Sequence, residues 1–210
     1  MTERRRPSHI EIRELTPAET DRGAAVLGRG MRDNPLHVQA FGSDPKRREE
    51  ILTRMFETVL RQQVVKGAIL GAWTAGELVG VSAMVPPRRC QLSTGEKLKV
   101  LPALLGGSGV RGTLRVMRWV GDWSRRDPKR VHWHLGPVGV ERHLQGQGIG
   151  SSLLGEFCRR MDAGRFMAYL ETDKRENVAF YERFGFEVVG EHEVLGVPNW
   201  FMLRSFAGAA

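Results

Sequence analysis

Residues 131–150 read Val131-His132-Trp133-His134-Leu135-Gly136-Pro137-Val138-Gly139-Val140-Glu141-Arg142-His143-Leu144-Gln145-Gly146-Gln147-Gly148-Ile149-Gly150. Residues 131–140 carry the signals of a strand, and a helix follows over about 148–161, with Leu153 and Leu154 on it. Between them lies the glycine-rich turn Gln145–Gly150. Glycines let a backbone approach a ligand closely, and the unbonded N–H groups of a helix's first turn attract phosphate. A glycine triplet at such a junction also fits a structural turn or a dinucleotide fold. The dinucleotide fingerprint is G-x-G-x-x-G, whereas the spacing here is G-x-G-x-G. No Gly-Lys-Ser/Thr follows, so the Walker pattern fails as well.

Outward from the turn, residues 9–15 alternate as a first strand, and Thr16-Pro17 opens a helix towards Arg29. Ile51, Leu52, Met55, Phe56, Val59 and Leu60 mark a helix over 45–65. Strands over 68–73 and 78–85 flank a hairpin turn at Thr74–Glu77. Residues 97–126 read as a helical insertion, with an apolar stripe of Leu114, Met117, Val120 and Gly121 and a basic face of Arg111, Arg115 and Arg118. Downstream of the turn come a strand over 166–171, a helix over 176–184 and strands over 186–195 and 199–206. The order, β-α-α-β-β, insertion, β-α-β-α-β-β, describes one mixed α/β domain over 1–210.

The chain has 210 residues, 41% of them hydrophobic and 27% charged, as globular proteins have. No stretch approaches the roughly eighteen apolar residues that span a membrane, and residues 1–7 are basic without an apolar run behind them, unlike a signal peptide. The expectation is a cytoplasmic protein without a membrane role. Cys90 and Cys158 lie far apart without metal-ligand spacing, so no metal is expected and both read as inert thiols. The 32 Lys and Arg outnumber the 24 Asp and Glu by 8, which favours anionic partners. Nucleic acid is not expected among them, because no recognition motif or aromatic-basic stacking pattern occurs.

Two blocks resemble one family. Gln145-x-x-Gly148-x-Gly150 is similar to the acetyl-CoA motif of the GCN5-related N-acetyltransferase (GNAT) superfamily, and Asn177-Val178-Ala179-Phe180-Tyr181-Glu182-Arg183-Phe184-Gly185-Phe186 is similar to its Asn-x-x-Phe-Tyr-x-x-x-Gly-Phe segment. The strand 135–140 resembles the family's splayed strand. The resemblance covers residues 131–190 by motif and the rest by element order. It implies a single mixed, mostly antiparallel twisted sheet flanked by helices, with the insertion between strands 3 and 4.

The resemblance also implies an N-acetyltransferase that uses acetyl-CoA as co-substrate and acts on a primary amine by direct attack in a ternary complex. The amides of Gln147, Gly148, Ile149, Gly150 and Ser151 would bind the cofactor pyrophosphate, with Gln145 and Gly146 shaping the loop. Val138 and Val140 would pair through their backbones with the pantetheine arm, Asn177 would hydrogen-bond it, and Phe180 would pack against it. The amide of Val138 or Gly139 would polarise the thioester carbonyl, since attack by an amine creates an oxyanion that a preset N–H stabilises. Tyr181 is the candidate general acid, because a phenol is protonated at neutral pH; the competing reading is an aromatic residue filling core space.

His132 and His134 share one face of their strand, with Trp133 and Leu135 on the other. Alignment on the turn makes His134 the candidate general base, with a hydrogen-bonded strand histidine as the competing reading. Glu171 is the runner-up, and water chains serve many members. The resemblance implies that acceptor specificity lies with residues 31–44, including Asn34, Phe41 and Asp44, and with the insertion. Asp33 and Asp44 in that loop would attract a cationic amine or simply be solvated. A small amine or amino-acid derivative is the expected acceptor, ahead of a protein amine. The tryptophans read as core or pocket walls, with Trp123 joining Trp119. A catalytically silent acyl-CoA sensor and an acyltransferase for longer acyl groups are the alternatives, and a homodimer fits the family's habit of pairing C-terminal strands.

Overall fold

The computed structural model describes residues 9–89 and 93–208. Cys90 and the basic residues 1–7 lie outside the described residues. Seven strands, β1 (Glu11–Glu14), β2 (Ala68–Thr74), β3 (Glu77–Val85), β4 (Trp133–Val140), β5 (Ala168–Thr172), β6 (Glu187–Val194) and β7 (Val197–Arg204), form one sheet in the order β1-β2-β3-β4-β5-β7-β6. Neighbours are antiparallel except β4 and β5. Ala75 and Gly76 both take positive φ and close the β2–β3 hairpin, as its two-residue turn requires.

The parallel pair decides where a site can form. β4 and β5 are in register only at Trp133↔Ala168 and His134↔Tyr169, and then part. On its other edge β4 stays paired with β3, but Ser82↔Val138 and Met84↔Leu135 place one extra residue on β4. Pro137, which has no N–H to give a ladder, sits in that bulge.

Helices α1 (Thr20–Met31), α2 (Pro35–Phe41), α3 (Pro45–Lys66) and α4 (Thr94–Ser124) cover one face of the sheet, while α5 (Ile149–Gly164) and α6 (Arg175–Glu182) cover the other. The pleat separates two cores. Ile69 packs with Leu27, Leu52 and Phe56 on the first face, and its neighbour Leu70 packs with Leu153, Phe157 and Phe186 on the second. A capping box of Thr16 and Glu19 precedes α1, and the Asp44 side chain accepts from the amides of Lys46 and Arg47 at the start of α3.

Two expectations are corrected. Residues 31–44 are not a loop, because Asn34 and Pro35 start α2 there. Asp44 is therefore a helix cap, and the Asp33 carboxylate lies 2.8 Å from Arg48 and 3.3 Å from Arg142. Neither carboxylate reaches the cavity described below. The insertion helix is also turned differently from its expected stripe. Val116 and Trp119 are buried, whereas Leu114 and Met117 are each 59% exposed. Two apolar stripes compete on this helix, and the one carrying Trp119 and Trp123 buries the larger side chains. Gly109, at φ 65°, interrupts α4 and frees its second half from the phase of the first.

Candidate active site

The glycine turn is shaped by backbone demands. Gly146 and Gly148 have φ of 80° and 90°, a region that side-chain-bearing residues avoid. Gln145 ties the turn down, its Nε2 donating to the carbonyls of Gly30 and Val140 at 3.1 Å each. That contact needs α1 to end close against β4: a Cβ on Gly30 would lie 2.5 Å from the Val140 carbonyl oxygen. Gly148 is the N-cap of α5, and the amide of Ser152 makes the helix's first bond back to its carbonyl at 3.0 Å. The amides of Ile149, Gly150 and Ser151 precede that bond.

Ile149, Gly150 and Ser151 line a groove of about 490 Å³ between the end of β4, the start of α5 and α6. Val138, Gly139, Val140, Gln145, Gly146, Gly148, Ile149, Gly150, Ser151, Asn177 and Phe180 all line it. Gln147 does not; its buried side chain turns back to donate to the His143 carbonyl at 3.3 Å. Asn177 Nδ2 donates to Thr172 Oγ1 at 3.3 Å, which ties α6 to the end of β5. Lys174 and Arg183, which sequence reasoning missed, add two cations to the groove. Their only signal is that they flank the Asn177–Tyr181 block.

A second cavity, of about 270 Å³, lies under α3 and α4. Met31, Asn34, Val138, Asn177 and Tyr181 line both spaces, so the two meet at these residues. Tyr181 is 7% exposed, its ring edge-on to Phe180 and Phe186 at 5.3 and 5.9 Å. Burial, helped by the nearby Asp173 charge, pushes its phenol well above the usual tyrosine range, so it stays protonated. The core-filling and chemical readings of Tyr181 thus describe one placement: the ring packs in the second core and the residue reaches both spaces.

On the cavity side, His134 Nε2 donates to Glu171 Oε2 across 2.8 Å. The Glu171 side chain is 4% exposed and that of His134 22%. The two residues that sequence reasoning set against each other as bases are therefore one dyad. With Nε2 carrying the proton, Nδ1 is the ring's basic nitrogen. His132, two residues earlier, is held differently: its Nδ1 lies 2.7 Å from the Arg130 carbonyl and its Nε2 3.1 Å from Asp127. Both rings pack on the fully buried Tyr169.

Two further groups at the junction were not foreseen. Asp173 Oδ2 accepts from the Leu36 amide at 2.7 Å and so anchors the start of α2 to β5. His37 donates from Nδ1 to the Met31 carbonyl at 2.7 Å, and burial holds it below the usual histidine range, hence neutral. Arg111, Arg115 and Arg118 stay on the outer surface of α4, away from both spaces. The Cys158 thiol, buried near the Phe184 carbonyl, is pushed up to about 11 and is a poor nucleophile.

The acetyltransferase (GNAT) domain family matches residues 66–188, which hold the turn, the dyad and Tyr181. Among solved structures, a Corynebacterium glutamicum protein described as histone acetyltransferase HPA2 and related acetyltransferase is 24% identical, with 94% of this chain and 97% of that one covered and a TM-score of 0.72. The PaiA N-acetyltransferase of Thermoplasma acidophilum, solved with coenzyme A, is 14% identical over 94% of this chain and 99% of its own, with a TM-score of 0.60. A GNAT family acetyltransferase from Brucella melitensis, solved with acetyl-CoA, is 20% identical over 95% and 89%, with a TM-score of 0.54. This chain belongs to the GNAT acetyltransferase family. Its seven-stranded, mostly antiparallel sheet between helices is the fold of those neighbours.

Proposed function

We propose that the protein is an N-acetyltransferase that moves an acetyl group from acetyl-CoA to a primary amine by direct attack in a ternary complex. The observation that carries this reading is the meeting of two spaces at Tyr181, one walled by helix-start amides and the other holding the His134–Glu171 dyad. The groove suits a polyanionic donor with an amide-bearing arm. It combines first-turn amides with Lys174 and Arg183, and it exposes the β4 edge released by β5. Acetyl-CoA, when bound, supplies the activated thioester.

The chain's own residues then handle two protons. His134, held by Glu171, takes the proton an ammonium must lose before it attacks, and the Glu171 carboxylate faces the cation so formed. Tyr181 gives its proton to the departing sulfur; the attacking nitrogen sheds its second proton through water as the amide forms, which restores the Tyr181 phenol, and His134 releases the first proton to solvent. The amide of Val138 or Gly139 supports the carbonyl oxygen as charge develops there. A sensor that binds acyl-CoA without turnover needs no dyad facing a second cavity. Longer acyl groups remain a question of chain preference within the same reaction.

The test follows coenzyme A release from acetyl-CoA in the presence of an amine panel, with products identified by mass spectrometry. Amine-dependent release is expected, and a wild-type protein that binds acetyl-CoA yet acetylates no amine would overturn the reading.

A further inference from the structure

We infer that the acceptor is a monoamine with an apolar, ring-sized body, seated with its nitrogen at His134 and its body against α3 and α4. This inference rests on the acetyl-transfer reading and adds the substrate class. The cavity is chemically two-sided. On the sheet side its lining includes His134, Glu171, Thr172 and Asp173, with Tyr181 of α6 beside them and Asn34 and His37 at the start of α2. On the helix side α3 contributes Met55, Phe56, Val59 and Gln63, and α4 contributes Val100, Val116, Trp119, Val120 and Trp123. No Lys, Arg, Asp or Glu lines that helix wall among the described residues. Its one amide, Gln63, donates from Nε2 to the Gly136 carbonyl at 3.3 Å, which leaves Gln63 Oε1 and Trp119 Nε1 as the neutral polar atoms of this wall without a partner among the described residues.

Charge placement excludes most amine classes. The two carboxylates of the lining, Glu171 bonded to His134 and Asp173 accepting from the Leu36 amide, both lie at the end of β5 near the reacting nitrogen, and neither is on the α3–α4 wall. A diamine or polyamine would push its second ammonium against valines and indoles, and burying an unpaired charge there costs several kcal/mol. A free carboxylate on the body meets the same cost. Neutral His37 adds no charge of either sign. What the wall offers is dispersion and aromatic contact: Trp119 and Trp123 meet edge to face at 5.1 Å, and His37 bridges Trp119 to Phe56.

Size narrows the class further. An apolar cavity of about 150 Å³ takes up a benzene ring. At about 270 Å³ this one holds a ring and a short alkyl arm that reaches the junction.

The experiment uses the full chain and two readouts. Melting temperature with and without acetyl-CoA tests the donor site alone. Turnover is then measured with 2-phenylethylamine, tryptamine, putrescine, spermidine and lysine amide. Stabilisation by acetyl-CoA is expected, with kcat/KM for the two arylalkylamines at least about 100-fold above that for the polyamines, as an unpaired buried charge implies. Val120→Asp should cut arylalkylamine kcat/KM at least about tenfold while the KM for acetyl-CoA holds; Val120→Asn serves if the aspartate variant does not fold. Polyamines acetylated as well as arylalkylamines, or arylalkylamine turnover untouched by Val120 variants, overturns the inference. Stabilisation without turnover of either arylalkylamine also overturns it and leaves the donor site standing. No stabilisation by acetyl-CoA removes the donor reading and the inference with it.

Discussion

The groove and the cavity meet at Tyr181, yet they are built in opposite ways. The groove is mainly main chain: amides at the start of α5, the edge of β4 and glycines at positive φ. The cavity is mainly side chain, drawn from α1 to α4 and from the ends of β4 and β5. A main-chain site tolerates little variation, because glycine is needed wherever φ is positive or two backbones nearly touch. A side-chain site changes its ligand by exchanging residues that leave the backbone alone. One half of this molecule is therefore constrained by geometry and the other by composition.

This contrast can be broken most decisively at the dyad. His134→Gln keeps size and polarity but removes the basic nitrogen, so kcat should fall by about 10²–10⁴-fold, with the loss following the pH limb on which a histidine titrates. A pH–rate profile with an unchanged limb would show that the cavity side does no proton chemistry. Tyr181→Phe should cost about 10–100-fold in kcat while acetyl-CoA affinity, read by calorimetry, stays put. Loss of affinity instead would assign Tyr181 to the groove alone.

Gly148→Val probes the main-chain half. The glycine's φ of 90° makes any side chain strained, at about 1–3 kcal/mol, so acetyl-CoA binding should weaken about tenfold or more with kcat at saturation nearly kept. The smallest effect is expected at Glu96, remote from both spaces. Its carboxyl is held at about 2 by Lys66 and by the Ser93 amide and hydroxyl of the α4 capping box. A carboxyl lowered in the folded state contributes stability above its unfolded value of about 4.3, and that contribution is lost as pH falls through about 2. Glu96→Gln should therefore lower Tm by a few degrees at pH 7, with the deficit shrinking below about pH 4, as thermal melts across pH would report.

The same contrast explains what could be read before folding. The turn and the Asn177–Phe186 block were legible because their demands are local: fixed glycine spacing, a helix start, an aromatic pair three and four residues on from Asn177. The strands and long helices followed from periodicity and caps. Helix α2 was missed because seven residues without an apolar period look like a loop, although Asn34-Pro35 is a start signal. The partnership of His134 with Glu171 was hidden because 37 residues separate them and only the parallel β4–β5 pair brings them together. The stripe on α4 was misjudged because periodicity shows that a helix has faces, not which neighbour it meets. Lys174 and Arg183 carry no pattern at all until α6 is placed beside the groove.

The insertion helix has a consequence for how such a protein changes over time. It joins the sheet through the link from β3 to β4, breaks at Gly109, and lends one face of its second half to the cavity. That half lies outside the sheet but touches it, since Trp123 Nε1 donates to Asn199 Oδ1 of β7 at 3.0 Å and Val116 and Trp119 belong to the core. On the acceptor assignment proposed above, substitution at the partly buried Val120 would alter acceptor fit with the least disturbance of the strands. On that reading, selection or a protein engineer would hold a dial for substrate scope that turns apart from the donor groove on the other side of Tyr181.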